Sequence, residues 1–187
     1  MHTMKPLLVS ILLAAPVCVS AQSETRSDPM AETVAQYFEM IRASFEALAD
    51  ALPADKWNFA PTGGQFTGVR TFAQQVKHVA CANYAFFNQV EHKEPPPDCE
   101  SGGPNPARNK SELMAYLRDS FEYAGTVMRR LTPANAMDTI EGPYGGKTTR
   151  LGISTLAIWH ATDHYGQLVV YLRMNAIVPP ATAAQRH

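Results

Sequence analysis

Ile153-Ser-Thr-Leu156-Ala-Ile-Trp-His160-Ala-Thr-Asp163-His164-Tyr-Gly-Gln167-Leu-Val-Val-Tyr171-Leu-Arg-Met174 is the stretch whose reading decides the fold. At about 100° per residue, Ile153, Leu156, His160, Asp163, His164, Gln167, Tyr171 and Met174 share one helical face. The apolar members predict that this face is buried. Four polar groups in its middle then need partners, because a buried polar group left unsatisfied costs about 1–3 kcal/mol. One histidine there reads as a satisfied core residue. Two at i,i+4 lie about 5–6 Å apart on one side of the helix, and both rings can reach one ion at about 2.0–2.1 Å.

Upstream, three further segments carry a one-sided apolar stripe. Asp28-Pro29 reads as a helix start, with Asp as cap and Pro at the first position. Val34, Tyr37, Ile41, Phe45, Leu48 and Leu52 then mark a stripe that Pro53 ends. Residues 57–68 read as a loop punctuated by Pro61, Gly63, Gly64 and Gly68. Thr71-Phe72-Ala73-Gln74 is a capping box; the helix it opens has the stripe Phe72, Val76, Val79, Phe86 and Val90 and stops before Pro95. A Pro- and Gly-rich connection over 94–106 leads to a third helix at Asn109, with Leu113, Leu117, Phe121, Ala124, Met128 and Leu131 as its stripe and Pro133 as its stop. Residues 137–149 hold Gly142-Pro143-Tyr144-Gly145-Gly146 and read as a crossover with at most one short extended piece. The fourth helix is predicted over 152–176. Four amphipathic helices must bury their stripes against one another, so the expected fold is all-α, a four-helix bundle with long crossover connections.

The chain has 187 residues, 45% hydrophobic and 18% charged, with 16 Lys+Arg against 17 Asp+Glu and a net charge of −1. This is one globular domain without the basic footprint of a nucleic-acid binder or a polybasic arm for anionic membranes. A small-molecule substrate is the expected partner. Residues 1–21 read as a secretory signal peptide: Lys5, an apolar run from Pro6, and small residues at Val19-Ser20-Ala21. Residues 22–187 then form the single domain, exported to the periplasm or secreted, with no stable membrane span after cleavage. Pro16 and Val17 fit poorly with lipidation at Cys18. In an oxidising compartment the remaining pair, Cys81 and Cys99, is a disulfide candidate. Cys81 is rotated about 180° from Phe72 and Val90, away from the main seam, where the Pro-rich connection can return and bring Cys99 to it.

A stable metal site needs a third ligand, and His78, His92 and His187 are available. His187 is the last residue, and His92 sits among Glu91, Lys93 and Glu94. His78 lies about two turns into the second helix, on the flank of its stripe. It can face a neighbouring helix, or simply bond a backbone carbonyl. Other chemistries are excluded by reading. The chain has no Glu-x-x-His of di-iron bundles, no H-E-x-x-H, no C-x-x-C-H, no P-loop and no G-x-S-x-G.

The run from His160 to Arg173 resembles the last-helix H-x-x-x-H-x-G-Q…Y-L-R signature of the DinB/YfiT-like superfamily. Leu52-Pro-Ala-Asp-Lys-Trp57-Asn-Phe-Ala-Pro61 resembles the loop after that family's first helix. Thr71 to His78 matches the place of its first ligand. The resemblance spans 30–180 and implies a four-helix bundle holding a divalent metal through His78, His160 and His164. Gln167 matches the Gln of the signature and receives no direct metal bond. Relatives include thiol-dependent transferases and isomerases and hydrolase candidates; those enzymes are cytosolic, and an export signal and a Cys pair set this chain apart from them.

Two functional expectations follow. In the first, an exported metalloenzyme uses an open three-His site to activate water or a thiol, as a metal-dependent hydrolase or thiol-dependent transferase. Asp163 is its candidate catalytic residue, orienting a ring N–H or accepting a proton; a salt bridge to an Arg of a neighbouring helix is the structural alternative. In the second, the protein is a non-catalytic metal- or small-ligand-binding module, with a homodimer through exposed helix faces as its assembly. Imidazole suits Zn, Ni, Fe and Cu, so the pattern does not choose the metal.

Overall fold

The computed structural model describes residues 28–94 and 109–185. Residues 1–21 and Cys99, and with them the signal peptide and the second half of the Cys81–Cys99 pair, lie outside the described residues, as does His187.

Helix α1 spans Pro29–Ala51, capped by the Asp28 carboxylate, which accepts from the Met30 N–H at 2.9 Å. It stops where sequence chemistry demands. Leu52 precedes Pro53, which disfavours helical backbone, and it turns extended at φ −81°, ψ 124°. The α1 stripe differs from the expected one by one residue. Tyr37 is 57% exposed, while Phe38 is fully buried. Between Val34 and Ile41, steps of four and three fit a 3.6 period as well as three and four, and packing decides.

The predicted loop is less loose than its glycines suggest. Residues Ala54–Lys56 form a 3-10 turn, and Trp57 is a core residue whose indole N–H donates to the Leu52 carbonyl at 2.8 Å. Its ring lies 5.7 Å from that of Phe72. Helix α2, Phe72–Glu91, opens with the predicted capping box and ends with His92 in left-handed backbone at φ 55°. Helix α3, Lys110–Met128, is capped by Asn109. It ends five residues before Pro133, because the Asn135 side chain folds over its end. That amide accepts from the Thr132 N–H at 2.8 Å and donates to the Arg130 carbonyl at 3.0 Å.

The crossover holds a hairpin rather than a single extended piece. Strand β1, Thr139–Glu141, pairs antiparallel with β2, Lys147–Thr149, around Gly142-Pro143-Tyr144-Gly145-Gly146. Three-residue strands are too short to show an alternation in sequence. The turn needs Gly145 and Gly146, both at positive φ. Helix α4 spans Arg150–Met174, and a short α5, Pro180–Ala184, follows.

Helices α1 to α4 form an all-α four-helix bundle in which α1 and α2 each pack on both α3 and α4. Phe38, Phe45, Phe87 and Phe121 fill its centre. Cys81 is buried, and its Sγ lies 3.8 Å from the Tyr116 hydroxyl of α3, so the side of α2 away from Phe72 is itself a helix seam. Among the described residues no helix is long and apolar enough to cross a membrane.

Candidate metal centre

The core face of α4 is Ile153, Ala157, His160, Ala161, His164, Leu168, Tyr171 and Leu172. Only two of the four polar residues expected on it are buried: His160 is 5% exposed and His164 7%. Asp163 and Gln167 stand at its solvent edge, and Met174 is exposed. The face is rotated from the expected one because small residues, Ala157 and Ala161, rather than Leu156, occupy its centre.

From α2, His78 meets this pair. Its ring centroid lies 4.9 Å from that of His160 and 4.6 Å from that of His164, and the two α4 rings are 4.6 Å apart. One ligand atom from each of the three residues falls within 4.8 Å of the others. The closest pair is Nε2 of His160 and Nε2 of His78, 3.0 Å apart. Two nitrogens bound to one ion at about 2.0–2.1 Å lie roughly 3–3.4 Å apart at ordinary bond angles, so the pair has the separation that a shared ion requires.

Burial, first, and the neighbouring His164, His78 and Arg70 charges push the His160 pKa down to about 3. Its ring is therefore neutral near pH 7, the form that ligates a metal. The Phe86 ring stands edge-on to it at 5.4 Å, and His160 Nδ1 is buried with no hydrogen-bond partner among the described residues. Imidazole nitrogens converging from two helices, with two of the three rings buried, fit a divalent transition metal such as Zn, Ni or Fe. The residues present can hold the ion that the three-His pattern implies.

His164 is held from behind. Its Nδ1 lies 2.6 Å from Oε1 of Gln75, a 4%-exposed amide one turn before His78 on α2. Gln75 Nε2 donates to Gln167 Oε1 at 2.9 Å, and Gln167 Nε2 donates to Asp163 Oδ2 at 2.9 Å. Asp163 thus reaches His164 through two amides, and among the described residues its partner is Gln167 rather than an Arg. Sequence reasoning missed Gln75. The signal was present: Gln75 falls three residues after Phe72 and four before Val79, a polar residue on the α2 stripe. His92, the other described candidate, is exposed at the end of α2 and takes no part.

The sequence profile of the DinB superfamily matches residues 37–168. The chain belongs to the DinB superfamily. Solved structures of this fold include a DinB-like protein of Bacillus subtilis, 19% identical with a TM-score of 0.60, covering 77% of this chain and 92% of its own. A DinB-like protein of Bacillus cereus is 15% identical with a TM-score of 0.65, covering 80% and 95%. A conserved protein of Enterococcus faecalis is 15% identical with a TM-score of 0.58, covering 75% and 93%. At these identities the likeness establishes the fold of this DinB-superfamily chain. No curated protein matches the sequence.

Proposed function

We propose that this DinB-superfamily protein binds one divalent transition metal through His78, His160 and His164 and uses it as an exported metalloenzyme acting on a small molecule. The observation that carries the reading is the convergence of three imidazoles within 4.8 Å, with the Nε2 atoms of His160 and His78 3.0 Å apart. Three protein ligands leave room for a fourth group, the pattern of catalytic rather than structural sites. A bound cation would supply Lewis acidity, lowering the pKa of a water or thiol that reaches it, which suits hydrolysis or thiol transfer. His78 is the least buried of the three, and a substrate would approach from its side. Asp163 enters this proposal as the candidate proton acceptor at the rim.

Metal analysis of the protein purified from its own compartment, followed by a screen of ester and thiol substrates, tests the reading. About one equivalent of metal and a turnover that chelation abolishes support it. A protein that neither retains nor takes up Zn, Ni or Fe sinks it. One equivalent of metal without turnover favours the non-catalytic binding module.

Export over residues 1–21 and the Cys81–Cys99 bridge belong to the same proposal. Mass spectrometry of the unreduced protein from an export-competent host is expected to show a chain starting at Gln22 and no alkylated cysteine. An intact N-terminus, or alkylation of both thiols, overturns this part alone.

A further inference from the structure

We propose that Asp163 fixes the direction of a hydrogen-bonded chain through Gln167 and Gln75, and so decides which nitrogen of His164 carries the proton. A carboxylate only accepts. The end of Gln167 that meets Asp163 is therefore its NH₂, at 2.9 Å. Its carbonyl is left to face Gln75, which must answer with NH₂, also at 2.9 Å. The Gln75 carbonyl then faces His164 Nδ1 at 2.6 Å, and that nitrogen must be the N–H. The lone pair of His164 is thereby left on Nε2, the ring nitrogen that remains for a ligand shared with His78 and His160, whose own Nε2 atoms lie 3.0 Å apart. In this arrangement Asp163, Gln167 and Gln75 are positioning residues. Each amide has two chemically different ends, so the chain has two directions, and only the carboxylate distinguishes them. His160 lacks such a setting, since its Nδ1 has no partner among the described residues.

The metal consequence rests on the proposed function; the proton's location does not. Asp163→Asn is the discriminating change, because the residue is exposed and its new amide can present either end. Both glutamines can then flip, leaving His164 with the proton on Nε2, the wrong form for ligation. Adding Gln75→Glu restores an acceptor for Nδ1 while the flipped Gln167 donates to the new carboxylate, so every bond is again satisfied.

The test is long-range ¹H–¹⁵N NMR of the metal-free protein near pH 7, with His164 assigned through the signals lost in His164→Gln, and with circular dichroism to verify folding. Zn²⁺ affinity is measured alongside by chelator competition. Wild type is expected to carry the proton on Nδ1. Asp163→Asn is expected to move population to Nε2–H and weaken Zn²⁺ about 10–100-fold, and the double variant to recover both. A His164 that stays Nδ1–H in Asp163→Asn overturns the proposal, as does a double variant that recovers neither property. If the tautomer follows the chain but no variant, wild type included, binds Zn²⁺, the proposed function fails and the directional chain stands.

Discussion

Where α1 meets α3, the interior is a stack of phenylalanines. Phe121 lies 5.3 Å from Phe38 and 6.0 Å from Phe45, ring to ring. Charges at this seam stay at its rim, where half-buried Arg42 is bonded to half-buried Glu46 at 2.9 Å and to exposed Glu122 at 2.7 Å. Where α2 meets α4, polar groups go inside: Gln75, His160 and His164 are all buried. A single bundle thus divides its labour. One seam supplies non-directional burial, which tolerates any well-filled shape. The other accepts the desolvation of imidazoles and amides, which is sustainable only if their hydrogen bonds are made. The difference puts apolar burial in one half of the molecule and the histidine cluster in the other, and mutation can separate the two.

The largest effect is expected from His160→Ala. Removing one of three imidazoles should abolish tight metal binding while far-ultraviolet circular dichroism keeps its helical signature. If metal content is unchanged, the α2–α4 seam is ordinary core. Phe121→Ala should do the reverse. A buried aromatic truncated to Ala costs about 3–5 kcal/mol, read as a lower denaturation midpoint in urea, yet the folded fraction should still take up metal. Loss of metal affinity in the folded Phe121→Ala protein would show that the two seams are not separable.

The sequence displayed these halves unequally. The four bundle helices were legible, because apolar stripes and caps such as Thr71 and Asn109 are local signals; the short Pro180–Ala184 helix, without a stripe of its own, was not. Which residue of a neighbouring pair faces inward was not, since Tyr37 and Phe38 fit the same period and only the Phe87 and Phe121 rings across the seam choose between them. The i,i+4 histidines of α4 announced themselves as polar intrusions on an apolar face, and family likeness added His78. Asp163 was singled out beside both histidines, but the path by which it reaches His164 was not legible. Its link to His164 passes through Gln75, 89 residues from His164 in sequence, and no local spacing encodes a contact of that range. The hairpin of the crossover was hidden by its three-residue strands.

A smaller effect separates packing from positioning within the α2–α4 half itself. The Tyr171 hydroxyl donates to the Arg70 carbonyl at 3.0 Å, pinning the loop that precedes α2 against α4, and its ring stands edge-on to Phe59 at 5.8 Å. It lies seven residues beyond His164, outside the Gln75–Gln167–Asp163 chain. Tyr171→Phe keeps the ring and removes one bond, so stability should fall by about 0.5–1.5 kcal/mol in urea titration, with Zn²⁺ affinity unchanged. A drop in affinity of tenfold or more would extend the positioning network to Tyr171.

The smallest effect belongs to the charges outside the phenylalanine seam. The Arg42 guanidinium, bonded to Glu122 across from α1 to α3, holds the Glu122 carboxyl below its usual value of 4.5. A carboxyl whose pKa is lowered on folding adds stability above its unfolded pKa and loses it as pH falls. The contribution is thus present near pH 7 and fades as acid descends through and below about pH 4.5. Because Glu122 is exposed, salt should also erase it, the screening length shrinking to about 3 Å at 1 M. Thermal unfolding of Arg42→Ala and wild type is therefore expected to differ slightly at pH 7 in low salt, and the gap should narrow toward zero in 1 M NaCl or at pH 3. A gap that survives both conditions would mean that Arg42 acts through the packing of its aliphatic stem, and the charged rim would then belong to the apolar seam it borders.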